Sequence, residues 1–164
     1  MTSLFPLEEL RTIPGFQNAR FLDSYAGGQG NSVRYMSVGD CDENLLAEGF
    51  SNLFLAGEKS GFYVGHTEAI TTGSLAGYNA AMKAMGRELL TLPRNLACGE
   101  LLAYSRKALE EEDGLSRRFT FAGGEFLEHM KKQGLYRQNP AEIAAAVETA
   151  GLSGIYNRHP SVIK

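Results

Sequence analysis

The side chains of this sequence best suited to chemistry lie close together between residues 57 and 68. Gly57 and Glu58 come first, a loop bounded by Gly61 and Gly65 follows, and His66, Thr67 and Glu68 close the group. An acid directly after an apolar run and a glycine is costly unless paired, and the hydroxyls of a ribose are natural partners for Glu58. Thr67 is a candidate N-cap for the helix that follows, whose first turn would offer free N–H groups to an anion or a carbonyl oxygen. His66 stands at the helix entrance and is of the type that serves acid–base chemistry near neutrality. Glu68 falls in the first turn, where the helix dipole favours an acid in any case. Lys59 could steady an anion, although a loop lysine is ordinarily solvated. No residue stands out as catalytic, and no spacing of ligand types suggests a metal.

Two elements must hold that group in place. Leu53, Phe54, Leu55 and Ala56 form a short apolar run without alternation, the pattern of a strand buried on both faces in a parallel sheet. After the loop, Ala69, Thr72, Gly73, Ala76, Gly77 and Ala80 follow the spacing of one helical face, and all are small. Such a stripe admits close approach by a backbone or a flat ligand. Gly73 and Gly77 each cost the helix roughly 1 kcal/mol relative to Ala.

Strand, acidic turn and small-residue helix together resemble the closing segment of the FAD-binding domain in flavoproteins with two dinucleotide-binding folds. Three segments in order narrow the resemblance: IPGFQNARFL at 13–22, NLFLAGE with EAITTGSLAGYNAA between 52 and 81, and LPRNLACGELLAY at 92–104. They are similar to the C-terminal part of the GidA-like family, most of all to its folate- and FAD-dependent tRNA (uracil-5-)-methyltransferases. The resemblance covers about the first two-thirds of the chain. It implies an α/β fold, the C-terminal part of a Rossmann-like FAD-binding domain at 1–113; a composition shift at Asp113-Gly114 and helical patterning beyond it set off a small helical extension at 114–164. It further implies FAD contacts through Gly57, Glu58, Gly61, Gly65, His66, Thr67 and Glu68, with the acid near the ribityl or pyrophosphate region. FAD in the full-length parent, folate as co-substrate and tRNA as partner belong to the same expectation. Two departures lie beside the expected flavin: Glu58 stands where the methyltransferase branch carries Gln, and the 61–68 loop is slightly longer. They leave open a GidA-like FAD oxidoreductase of unassigned substrate. An interaction module that oligomerises through an exposed surface is a third reading.

At 164 residues and 17.9 kDa the chain suits one ordinary domain with a small appendage, too little for a complete enzyme of that family. Its 43% hydrophobic and 21% charged residues are those of a globular protein. A net charge of −3 argues against general nucleic-acid affinity, so any tRNA contact needs a local patch. The pairs Arg106-Lys107, Arg117-Arg118 and Lys131-Lys132, with Arg137, could face RNA, but a solvated helix face is the better reading of each. No apolar run is long enough to span a bilayer and the N-terminus lacks a signal-peptide pattern, so the expected location is the cytoplasm, with no membrane contact. Cys41 and Cys98 have no ligand spacing and are expected as reduced thiols, while His129 and His159 appear as isolated surface residues.

The most informative absence is a G-x-G-x-x-G loop after a strand, which normally holds the pyrophosphate of a dinucleotide. Gly27-Gly28-Gln29-Gly30 lacks that spacing and is expected as a plain loop. The chain should therefore supply one wall of a dinucleotide site, need the missing N-terminal half of the FAD domain, and be inactive alone. Short strands are expected at 19–22 and 32–38, and a short turn or helix at 40–50. Gly86 is expected to stop the helix that follows Thr67, and further helices are expected from Asn95 to about Asp113, over 125–133, and from Asn139, where Pro140 and Glu142 complete a start signal, to a stop at Gly151.

Overall fold

The computed structural model describes residues 6–20, 38–111 and 117–157. The chain divides after Ser37 into two compact units. The first contains α1, Leu7–Arg11, which buries Leu10 and is followed by turns closed by Ile13 N–H to Leu10 O and Phe16 N–H to Ile13 O. The expected loop at 23–32, the tetrapeptide from Gly27, and nearly all of the strands at 19–22 and 32–38 lie outside the described residues.

The second unit carries four α-helices among its described residues: α2 His66–Ala84, α3 Ala97–Leu109, α4 Gly124–Lys132 and α5 Pro140–Thr149. Helix α2 is the frame of the unit. It buries Glu68, Thr72, Leu75, Ala76, Asn79 and Met82, a heptad-like progression along one face. Its C-terminus stops where expected: Gly86 takes φ +64°, and Arg87 N–H returns to Met82 O at 2.9 Å. At the other end the cap is Gly65 and not Thr67, so the helix begins two residues earlier than Thr67 capping required. Thr67 is exposed inside the first turn, and its carbonyl accepts from Thr71 Oγ1.

Asn79 staples α2 to two loops. Its Nδ2 donates to Asn44 O and Leu90 O at 3.0 and 2.9 Å, and its Oδ1 accepts from Leu90 N–H at 2.7 Å, so a fully buried amide is satisfied on both sides. Helix α3 starts after Leu96, one residue beyond the Asn95 cap expected from sequence. It approaches its preceding loop so closely that a Cβ at Gly99 would collide with the carbonyl oxygens of Leu92 and Pro93. Phe126 and Met130 bury α4. Helix α5 has the start signal in place, with Asn139 Oδ1 accepting from Ala141 N–H at 2.9 Å, yet it buries none of its residues fully.

Among the described residues no extended strand forms; β pairing is limited to isolated bridges. The run at 53–56 is one of these, a single antiparallel bridge of Phe54 with Leu46, flanked by Ala47 N–H to Leu53 O and Leu55 N–H to Leu45 O at 2.8 Å each. Leu53 is 43% exposed, so the run is not buried on both faces. A buried parallel strand needs paired neighbours and helices over both faces, and among the described residues the backbone of 53–55 pairs only with 45–47. The 113/114 boundary expected from composition falls within 112–116, outside the described residues.

Candidate functional site

The Gly57–Lys59 stretch forms a single 3-10 turn that packs on the first turns of α2. Gly57 has φ +58°, a left-handed conformation that favours glycine, and its N–H donates to Thr72 Oγ1 at 2.7 Å. The same Oγ1 lies 2.9 Å from Glu68 O, so one buried hydroxyl joins the turn to the helix. Glu58 is half-buried within this turn. His66 and Thr67 are exposed at the start of α2.

The cap of that helix is bare. Gly65 contributes no side-chain hydrogen bond, and the first turn presents backbone N–H groups at the positive end of a 19-residue helix. Next to this end the helix surface is open. Among the described residues beyond the helix's own turns, a Cβ added at Gly73 or Gly77 would meet no atom within 4 Å, and Ile70 is 67% exposed. The small-residue stripe is therefore split: Thr72 and Ala76 are buried, whereas Ala69, Gly73, Gly77 and Ala80 face outward.

Two residues of the expected site turn inward. Gly61 is buried beneath the ring of Tyr63, whose Cζ would lie 2.5 Å from an added Cβ, so packing accounts for this glycine. Glu68 is wholly buried; Oε1 accepts from Phe121 N–H at 2.6 Å, and Oε2 is enclosed without a hydrogen-bond partner. Gly65 must be glycine for the same reason, since a Cβ there would fall on Glu68 Oε2. Gly57, Glu58, Gly65, His66 and Thr67 are thus gathered at one end of α2, while Gly61 and Glu68 support them from behind.

Sequence reasoning missed three contributors: the Thr72 hydroxyl, the Phe121 backbone and the buried Tyr63–Ser105 pair. Tyr63 Oη and Ser105 Oγ lie 2.6 Å apart, and burial pushes the Tyr63 phenol up to about 12. Only Thr72 left a signal, a hydroxyl within a run of otherwise inert small residues. Burial also pushes the thiols of Cys41 and Cys98 up, which keeps both in the unreactive protonated form. His129 is not an isolated surface residue: it lies 2.8 Å from Glu100, which is held by Arg94 Nε at 2.7 Å. His159 lies outside the described residues. The described residues contain no group of three or more potential metal ligands and no helix long and apolar enough to cross a membrane.

A flat, acceptor-bearing ligand such as a flavin fits this end of α2 on the chain's own features. The cap makes no side-chain hydrogen bond, the adjoining helix face is clear over two glycines among the described residues, and the turn beside it is tied to the helix by Thr72.

The chain is 36% identical over 94 residues to the methylenetetrahydrofolate--tRNA-(uracil-5-)-methyltransferase TrmFO of Caldicellulosiruptor bescii, covering 57% of this chain and 21% of that protein. The protein of the same name from Koribacter versatilis is 38% identical over 96 residues, 58% of this chain and 21% of its own length. That of Solibacter usitatus is 34% identical over 141 residues, 86% of this chain and 31% of its own length. The chain thus spans less than a third of the curated relatives it matches. No solved structure matches it. The family described as glucose inhibited division protein A matches residues 3–88, more than half of the 164. The chain belongs to that family, and within it is related to the TrmFO proteins.

Proposed function

We propose that this chain is the flavin-facing wall of a FAD-dependent tRNA-modifying enzyme of the cytoplasm, in the class that methylates uridine with a folate-borne one-carbon unit. The observation that carries the reading is the bare, glycine-capped N-terminus of α2 beside an open glycine face. Gly57, Glu58, Gly65, His66 and Thr67 would hold the FAD, with Gly61 and Glu68 behind them. An acidic side chain already stands in this helix turn, which favours a neutral carbonyl oxygen over a phosphate as the atom received by the N–H groups. When bound, FAD would supply the reducing chemistry for one-carbon transfer. The chain's own residues bind and orient, and the half-buried Glu58 is suited to polyol hydroxyls. In this reading the 53–56 run completes a parallel strand of a Rossmann-like α/β domain when the N-terminal half of that domain is paired with it, and 114–164 forms the helical extension.

The purified chain should retain no yellow colour after incubation with FAD and gel filtration. With the N-terminal half of a FAD domain of this family supplied, colour should be retained, and uridine in tRNA should be methylated when folate is present. Absence of flavin retention in that complex overturns the reading. Retained flavin without methyl transfer leaves a GidA-like FAD oxidoreductase acting on another substrate, the alternative that Glu58 in place of Gln favours.

A further inference from the structure

The carboxyl group of Glu68 is bonded in a way that α2 alone does not explain. At the third position of a helix an acid commonly folds back to the N–H of the capping residue. Here Oε1 reaches across the fold to Phe121 N–H, a partner 53 residues distant in sequence, and Oε2 is enclosed against Gly65 without a partner. The side chain is fully buried, so this is an internal fixture and not a surface contact.

Phe121 belongs to a stretch laid along the candidate site. Phe119 N–H donates to Phe62 O at 2.8 Å and Val64 N–H donates to Phe119 O at 3.3 Å, forming a parallel bridge between Tyr63 and Phe119. The Phe119 side chain is fully buried and meets the Tyr104 ring edge-on at 5.6 Å. Arg118 lies 5.0 Å over the Phe62 ring, and Arg117 is paired with Glu111 and Glu125. The stretch is therefore tied to Glu111 and Glu125 at Arg117, anchored at 118–119 on the loop before α2, and ends on the first turn of α2 through Glu68.

We propose that residues 117–121 are a strap that holds the loop 61–65 and the bare end of α2 in register, and that Glu68 is the positioning residue that fastens it. The C-terminal extension is then part of the candidate site. What the positioned turn receives rests on the flavin reading above; the strap itself does not.

Amide hydrogen exchange on the 164-residue chain tests it without any flavin, so failure of the strap and failure of the flavin reading are seen separately. Glu68→Ala should speed exchange at Phe121, Phe119 and Val64 by about tenfold or more, the loss of one hydrogen bond to an acidic acceptor. Arg87 N–H, bonded at the far end of α2, should keep its wild-type rate. Glu68→Gln, which preserves the acceptor, should restore slow exchange at Phe121. Unchanged rates in Glu68→Ala, an equal rise at Arg87, or a Glu68→Gln variant as fast as Glu68→Ala each overturns the proposal. If Glu68→Ala does not fold, Gly65→Ala provides the test, because its methyl group displaces Oε2. It should accelerate the same three amides, and slow exchange at all three overturns the strap equally.

Discussion

The two faces of α2 carry similar residues to opposite ends. On the inner face, small and polar residues are dictated by neighbours: Asn79 is satisfied by three backbone groups, Thr72 joins Gly57 to the helix, and Gly65 leaves room for Glu68 Oε2. On the outer face, Gly73 and Gly77 have nothing within 4 Å of where a side chain would begin. Glycine costs a helix stability wherever it sits. On the inner side the chain's own packing accounts for the small residues, and on the outer side nothing within the described residues does. The difference teaches that the helix has a completed interface with its own chain on one side and, on the other, a face that the described residues leave uncovered.

The sharpest way to break this contrast is at Asn79. Asn79→Ala strands Leu90 N–H and two carbonyl oxygens in the interior, and should cost about 3 kcal/mol in denaturant unfolding. A loss no larger than that of a surface substitution would remove the inner face from the argument. Gly65→Ala should cost about 2 kcal/mol, because the methyl group must push aside a buried carboxyl group. The same measurement on a variant also carrying Glu68→Ala should recover part of that loss, since the obstructing atoms are gone.

Packing beyond α2 provides a control with a pH signature. Arg94 beside Glu100, reinforced by His129, holds the Glu100 carboxyl below the ordinary carboxylate range, against an opposing effect of burial. A depressed folded-state value means that this contribution is present above the ordinary carboxylate range and is lost as pH falls through the depressed value. Glu100→Gln should therefore cost about 1.5 kcal/mol at neutral pH and flatten the acid side of the stability profile. Thermal melts across the acid range would show it, and a profile parallel to that of the parent chain would count against the Arg94–Glu100–His129 link.

The smallest expected effect has the opposite sign. Gly73→Ala and Gly77→Ala should each stabilise the isolated chain by about 0.5 to 1 kcal/mol, since the helix gains propensity and meets no obstacle. In complex with the N-terminal half of the FAD domain, the same substitutions should weaken association or flavin retention. If they stabilise both states alike, the outer face has no occupant and the contrast between faces loses its functional meaning.

Much of this was legible from residue order. Gly86 and Gly151 announced helix ends because a left-handed residue after a helical run favours glycine, and Asn139-Pro140 announced a start because cap and first-turn chemistry is local. The cluster from Gly57 to Glu68 was visible for the same reason, as glycines, acids and a histidine sit within twelve residues of one another. The start of α2 was misjudged at Thr67, because Gly65 caps through backbone conformation and leaves no side-chain mark. The 53–56 run looked like a buried strand because apolar content was legible while its neighbours were not; pairing on one side only left Leu53 exposed.

By itself the sequence determined where α5 begins and where α2 and α5 end, which end of α2 carries the chemistry-bearing residues, and which family the chain resembles. Each depends on residues within a few positions of one another or on direct likeness of residue order. Only the tertiary structure decided that Glu68 turns inward to Phe121, that Gly61 serves Tyr63, and that the glycines of α2 fall on an open face. Those outcomes depend on groups tens of residues apart meeting in space, and a buried polar atom takes whichever partner the packed interior brings within reach.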